Sequence, residues 1–341
     1  MPKNYWPTAQ WKAADPADLN LDSAKLSELE SLIASEYSNI SGIVIARYGN
    51  LAYESYHHGW GPDDPKHVAS VTKSILSALI GIAIHAGYIH HPDQKVLDFF
   101  PEYIPNAANP KVREITIRHL LTMTAPYSFE DWREPLDKLC MAPDWVKYTL
   151  DMLGQQGDIG AFKYSTAGAH LLSVILSRST GRSAREFANE HLFKPTGMRE
   201  IPDHPMASYG FEDLFGTRVQ GWVKDPAGNS TGGWGLTLTP RDMARFGLLY
   251  LNRGRWQQHQ VIPEAWVLES TTMTPHRYGY LWWLMEEEGV SAFSALGDGG
   301  NIICCIPDKD LVIAIASEFM MNPRDRWTLI KEHILSAVLE E

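Results

Sequence analysis

Cysteine is scarce in this chain of 341 residues: Cys140, Cys304 and Cys305 are the only three, an odd number with two adjacent in an apolar run. A disulfide framework is thereby excluded as the source of stability, and buried thiols are expected. Positive charge is also in deficit, with 30 Lys and Arg against 41 Asp and Glu and a formal net charge of −11. Such a chain repels a phosphate backbone and an anionic bilayer surface alike, so neither nucleic acid nor membrane is expected as a partner. Long hydrophobic runs are missing too. The longest, residues 75–86, is interrupted by Ser77 and His85 and is too short to span a bilayer, so it reads as a core helix. Residues 1–6 lack the apolar core and small-residue cleavage site of an export leader, which gives the expectation of a cytoplasmic location. What is present, 44% hydrophobic residues, suffices to bury a large core.

Residues 41–56 hold two β-type runs around Gly49-Asn50, the composition of a tight hairpin turn. Near the other end, residues 301–306 and 311–317 are apolar runs joined by Pro307-Asp308-Lys309-Asp310, with weaker strand candidates at 278–284 and 292–296. Between them, residues 70–86, 116–123, 167–179, 183–192 and 239–252 show helical spacing or helix-start signals. Residues 22–37 and 324–339 are amphipathic and supply a helix at each end. Strands at both ends with helices between predict an α+β fold: an antiparallel sheet built from both chain ends, flanked by terminal helices, with a mostly helical region inserted. One domain is expected over residues 20–335, its sheet part at 20–65 and 275–341 and its helical part at 66–274.

Ser70-Val71-Thr72-Lys73 stands where a loop runs into the apolar helix. Spacing of i and i+3 puts Ser70 and Lys73 on one helix face, and the first-turn position leaves the Ser70 N–H free for a developing oxyanion. A serine hydroxyl needs a base to take its proton, and a lysine in apolar surroundings can serve. Tyr164-Ser165-Thr166 precedes the helical segment at 167, a loop position from which a phenol can relay protons to a leaving group. Leu296-Gly297-Asp298-Gly299-Gly300-Asn301 is glycine-rich and directly ahead of a strand, so backbone there can approach a ligand, and the Asn301 N–H is a candidate second oxyanion donor. Each motif alone has a plain structural reading: a helix cap, a packed tyrosine and a turn.

In this order the three motifs resemble the β-lactamase-related serine hydrolases, in their class C-like, penicillin-recognising branch. Residues 116–124, 191–198, 232–236, 242–247 and 278–283 look like further family segments, so the resemblance covers roughly residues 20–335. It implies a β-lactamase/penicillin-binding-protein-like fold and an acyl-enzyme on Ser70, with Lys73 and Tyr164 handling protons and the N–H groups of Ser70 and Asn301 forming the oxyanion hole. Asp298, Gly299, Gly300 and Thr166 would line the substrate site, and no metal or cofactor is needed. Two departures stand out: Thr166 replaces the family's asparagine, and Asp298 stands where penicillin-binding members carry Lys or His. An aspartate there repels a substrate carboxylate. Branches resembling carboxylesterases, or hydrolases of short ω-amino-acid (6-aminohexanoate) oligomers, therefore fit better than a true β-lactamase or D,D-peptidase. A small-molecule ester or amide is the expected partner. A catalytically silent binding protein on the same fold is the alternative of another class, opposed by the intact Ser70, Lys73 and Tyr164.

Gly228-Asn229-Ser230-Thr231-Gly232 is the rival serine motif, a formal nucleophile elbow, but it lacks an apolar strand before and a helix directly after. The pairs His57-His58 and His90-His91 have no partner at ligand spacing and read as surface or loop histidines. Of Trp132, Trp145, Trp222, Trp234, Trp282 and Trp283, one or two are expected at the site and the rest in the core.

Overall fold

The computed structural model describes residues 5–130 and 132–339. Residues 1–4, on which the expectation about an export leader partly rests, and residues 340–341 of the expected sheet part lie outside the described residues. Strands β1 (Ile40–Arg47), β2 (Asn50–Tyr56), β3 (Trp283–Glu287), β4 (Val290–Gly297), β5 (Asn301–Ile306) and β6 (Leu311–Ser317) form one antiparallel sheet in the order β2-β1-β6-β5-β4-β3. The two chain ends meet where β1 pairs with β6, Ile43 opposite Ile315. The first hairpin turns one residue earlier than its composition suggests. Its central residues are Tyr48 and Gly49, with φ of +53° and +80°, and Asn50 opens β2. A two-residue turn of type I′ needs φ > 0 at both central positions, and here a tyrosine takes one of them. The weak candidate at 278–284 also moves: β3 starts only at Trp283, and Tyr278 makes a single bridge to it.

The sheet is covered on both faces, which explains why its central strands are apolar throughout rather than alternating. In β5, Ile303 and Cys305 enter one core while Ile302, Cys304 and Ile306 enter the other. The adjacent cysteines therefore point to opposite faces and cannot pair; all three thiols are free and buried. Helix α1 (Ser23–Glu36) and the C-terminal helical turns from Arg326 to Ala337 cover one face. The other is covered by α2 (Val71–His85) and, from within the stretch expected to be the helical part, by α4 (Pro240–Leu251), which packs on β1, β5 and β6. Gly247 allows that approach, because a β-carbon there would lie 2.6 Å from Val312 Cγ1. Helix α3 (Thr166–Thr180) packs on α2, and α2 in turn is buried from Val71 to Ala83. The buried helix and the end of β4 meet at Ser70. Among the described residues no helix is long and apolar enough to cross a membrane.

Candidate active site

Ser70 stands at the start of α2 without a capping hydrogen bond from its side chain, and its approach is fixed by a short ladder in which Lys66 and His67 pair with Leu238 and Thr237. The preceding residue, Ala69, sits at φ +48°, a left-handed conformation unfavourable for a residue with a β-carbon and of the kind found at functional turns. One turn on, Lys73 is 1% exposed. Its Nζ donates to Ser70 Oγ at 2.9 Å, Thr166 Oγ1 at 3.2 Å and the Gly233 carbonyl at 2.9 Å. Three acceptors match the three protons of an ammonium, which is what burying this side chain demands. Gly233 must be glycine for its carbonyl to reach the lysine, since a β-carbon would lie 2.4 Å from Thr166 Cγ2.

Tyr164 lies beside this pair, its ring centroid 4.7 Å from Lys73 Nζ. The ring belongs to an aromatic cluster: it lies near-parallel to Trp132 at 5.5 Å and to Trp283 at 5.8 Å, those two being 6.3 Å apart, and Tyr278 meets it edge to face at 6.2 Å. Trp132 and Trp283 are thus the two tryptophans at the site; Trp145, Trp222, Trp234 and Trp282 are buried in the core.

Below Tyr164 lies Glu134, a residue with no signal in the sequence. Its carboxylate accepts from the Thr166 and Ala167 N–H groups at 2.6 and 2.7 Å and from Ser165 Oγ at 3.0 Å. It therefore satisfies the start of α3, where orphan N–H groups and the helix dipole favour a negative charge. Burial pushes the Glu134 carboxyl above the usual range, opposed by those N–H groups and by the Lys73 charge.

The sheet supplies the other wall. A β-carbon on Gly297, the last residue of β4, would lie 3.1 Å from the Ser70 nitrogen and 2.4 Å from the Val68 carbonyl, so only glycine lets this strand end lie against the nucleophile. Asn301 pairs opposite Gly297 on β5, one strand further from Ser70. Its side chain is engaged internally, donating to the Asp298 carbonyl at 2.7 Å and accepting from the Ser317 N–H at 3.0 Å. Gly299 and Gly300 adopt φ of +81° and +87°, and their carbonyls turn inward to Asn39 Nδ2 (2.7 Å) and Arg326 Nε (3.2 Å). Arg326 is 5% exposed, and burial lowers its pKa to about 10. The Asp298 side chain is exposed between two cavities. Of the residues singled out in the sequence, Ser70, Lys73, Tyr164 and Thr166 converge at one point, whereas Asp298 to Asn301 form the adjoining loop. Gly297, Gly233 and Glu134 are the contacts that motif reading missed. The two glycines lay inside glycine-rich stretches already noted, while Glu134 had no such marker.

Ser230 is 1% exposed, with its hydroxyl accepting from the Arg185 N–H at 3.2 Å inside the helical region, and Asp225 ties its turn through Asn229. His57 meets Ser55 Oγ at 3.0 Å, and His58 meets the Ser38 carbonyl at 2.6 Å.

The sequence profile of the Beta-lactamase family matches residues 34–333. A 6-aminohexanoate-dimer hydrolase of Paenarthrobacter ureafaciens is 24% identical, over 98% of this chain and 90% of its own. Among solved structures, a D-stereospecific amidohydrolase from Streptomyces superposes with a TM-score of 0.67 at 17% identity, over 92% of this chain and 99% of its own. An octameric penicillin-binding protein homologue from Pyrococcus abyssi gives a TM-score of 0.68 at 19% identity, over 94% of this chain and 78% of its own. Both superpositions extend over the sheet and the helical region together, so they share the architecture that brings Ser70 to the end of β4.

Proposed function

The chain belongs to the Beta-lactamase family of hydrolases, and from that premise we propose that it cleaves an ester or amide bond through an acyl-enzyme on Ser70. For this step Lys73 holds only two protons, those bound by Thr166 Oγ1 and the Gly233 carbonyl, and its free lone pair takes the serine proton as Ser70 Oγ attacks the carbonyl carbon. The oxyanion is met by the Ser70 N–H and by backbone N–H from the Gly297 to Asn301 segment, Asn301 included. Tyr164 passes a proton to the leaving group and then activates the water that releases the acyl group. The observation that carries this reading is the 2.9 Å contact between Ser70 Oγ and a buried Lys73 Nζ whose other protons are already bound. The Thr166 hydroxyl in this arrangement orients the lysine. Substrates are neutral or cationic small molecules, because the exposed carboxylate of Asp298 faces the cleft. Relatives described as a dimer hydrolase and an amidohydrolase support an amide among them.

A fluorophosphonate probe followed by peptide mass spectrometry tests the reading directly. The adduct is expected on Ser70, and Ser70→Ala is expected to abolish both labelling and p-nitrophenyl ester hydrolysis while Ser230→Ala retains them. An adduct on Ser230, or turnover by Ser70→Ala, overturns the assignment.

A further inference from the structure

The surroundings of Ser70 open into two cavities of unequal size. The smaller, about 280 Å³, is lined by His67, Ala69, Phe211, Phe215, Asp298 and Phe319. Phe211 and Phe319 meet edge to face at its wall, their centroids 6.1 Å apart. The larger, about 780 Å³, lies where the terminal helices stop short of covering β3 and β4, and its lining includes Trp283, Met285, Leu296, Met320, Met321 and Trp327. Its volume falls inside the roughly 300–1,000 Å³ of small-molecule sites. Asp298, Asn301 and Phe319 line both cavities, so the two adjoin along the loop that follows Gly297.

We infer that the larger cavity is a substrate arm that takes an extended, uncharged apolar chain, an inference that rests on Ser70 being the nucleophile. Continuity with the reacting centre supports it. Gly297 lines this cavity and also lies against the Ser70 nitrogen, and Trp283 lines it and stacks on Tyr164. Ser70, Lys73, Tyr164 and Thr166 do not line the groove themselves, so a chain leaving the scissile carbonyl on this side reaches it by passing Gly297 and Trp283, where the pairing of β3 with β4 ends.

The chemistry of the lining supports it as well. Leu296, Phe319, Met320 and Met321 are all exposed, the last by 78%, a concentration of apolar surface on one rim of a chain carrying a net charge of −11. Methionine is unbranched and polarisable, and it fits chains of varying shape. Of the charged side chains in the lining, Arg324 pairs with Glu36, Arg326 is spent on Asn39 and the loop carbonyls, and Asp325 accepts from the Thr328 N–H, while Arg277 and Asp298 are exposed. The polar end of Trp327 is likewise held, its Nε1 donating to Glu287 at 3.0 Å. The apolar side chains Trp283, Met285, Leu296, Met320 and Met321 themselves call for no substrate charge, while the smaller cavity is left for a compact group.

Two ester series test the inference: p-nitrophenyl esters with acyl chains from acetate to dodecanoate, and alkyl acetates with alcohol chains of the same lengths, followed by proton release. In one of the two series kcat/KM is expected to climb steeply, by up to about fourfold per added methylene, until the groove is filled. Which series climbs tells whether acyl or leaving group occupies it. Leu296→Asp and Met321→Asp are expected to collapse the long-to-short ratio at least tenfold. Met141→Asp, an equally exposed methionine on the helix Leu136–Met141 and lining neither cavity, leaves the ratio unchanged. Thermal melts confirm that each variant is folded. A flat profile in both series, or ratios unmoved by the two groove variants, overturns the inference. Fluorophosphonate labelling of Ser70 in the same samples separates that outcome from failure of the nucleophile assignment, which would appear as no Ser70 adduct at all.

Discussion

The helical wall of the cleft works through side chains, and the sheet wall works through backbone. On the first, one ammonium is fixed by oxygens from three separate segments, at residues 70, 166 and 233, and Glu134 ties down the start of α3 behind them. On the second, the chain from Gly297 to Asn301 presents its main chain, and its shape is imposed from the far side by Arg326 and Asn39. The difference teaches which substitutions remove chemistry and which remove shape. Loss of a side chain on the helical wall deletes a functional group while the fold persists. Loss of the buried arginine behind the sheet wall deletes no reacting group but releases the loop.

The largest expected effect is on the helical wall. Lys73→Ala removes the base and should lower kcat on p-nitrophenyl acetate by about a thousandfold, and Tyr164→Phe by about a hundredfold or more. Lys73→Ala also leaves the Thr166 and Gly233 acceptors unpaired, for about 1–3 kcal/mol of stability, whereas Tyr164→Phe keeps its aromatic stack and should melt within a few degrees of the parent. Near-parental turnover by Tyr164→Phe would remove the relay from the mechanism. The counterpart on the sheet wall is Arg326→Leu. It strands the Asn39 Oδ1 acceptor and leaves the Gly300 carbonyl with Ser317 Oγ at 3.3 Å, and should cost roughly 3 kcal/mol in urea unfolding with a rise in KM. Arg326→Lys should restore little, because one ammonium cannot reproduce a planar fork of donors. If both Arg326 variants bound substrate as the parent does, the loop would hold its shape without the arginine.

This contrast also explains how much was legible from sequence. Ser70 and Lys73 could be found because helix geometry converts spacing into proximity at a buried helix start, whereas Thr166, on another helix, was reached only through the resemblance of its motif. β5 and β6 could be placed to the residue because strands covered on both faces are apolar without interruption. Glu134 could not be found, because its partners lie more than thirty residues away and a carboxylate before a short helix has many plain readings. The role of Gly297 was hidden for another reason: the need for glycine comes from the Val68 carbonyl, more than two hundred residues earlier, which no local pattern records. The same applies to Arg326, which reads from sequence as an ordinary charged residue at a helix start.

Titration gives a third contrast, between two groups shifted in opposite directions. His67 accepts the Gly235 N–H at 3.0 Å through Nε2, and burial lowers its pKa from 6.5 to about 4. Between these values the unfolded chain binds more protons than the folded one, so stability rises with pH across the window and is lost on acidification, by up to about 3 kcal/mol. His67→Gln, which keeps an acceptor, should flatten urea stability measured from pH 6.5 to 4; an unchanged slope would assign the acid sensitivity elsewhere. For Glu134 the sign reverses. Its pKa is raised on folding, so the folded state holds the proton more tightly and the stability it contributes at low pH is lost as pH rises above the ordinary carboxylate range. Glu134→Gln should remove that dependence. It should also lower kcat by about tenfold, because the amide cannot accept from all three donors at the start of α3 or offset the charge of Lys73. Loss in KM alone would mean that Glu134 serves the cleft wall and not the lysine.

The smallest effect belongs to Asp298, and its size follows from its exposure. A carboxylate in a dry cleft would exclude an anionic substrate strongly, but this side chain is open to solvent where the two cavities adjoin. At about 4 Å in water two like charges repel by only about 1 kcal/mol, and salt weakens this further. Asp298→Asn should therefore raise kcat/KM for the anionic β-lactam nitrocefin relative to a neutral p-nitrophenyl ester by roughly fivefold at low ionic strength, with the gain shrinking toward unity in molar salt. The neutral ester itself should be unaffected, since the main-chain loop is held by Arg326 and not by the Asp298 carboxylate. A ratio that does not move at low salt would show that Asp298 has no part in choosing substrate charge. A ratio that moves equally at all salt concentrations would point to an altered loop shape, and so to the backbone character of this wall.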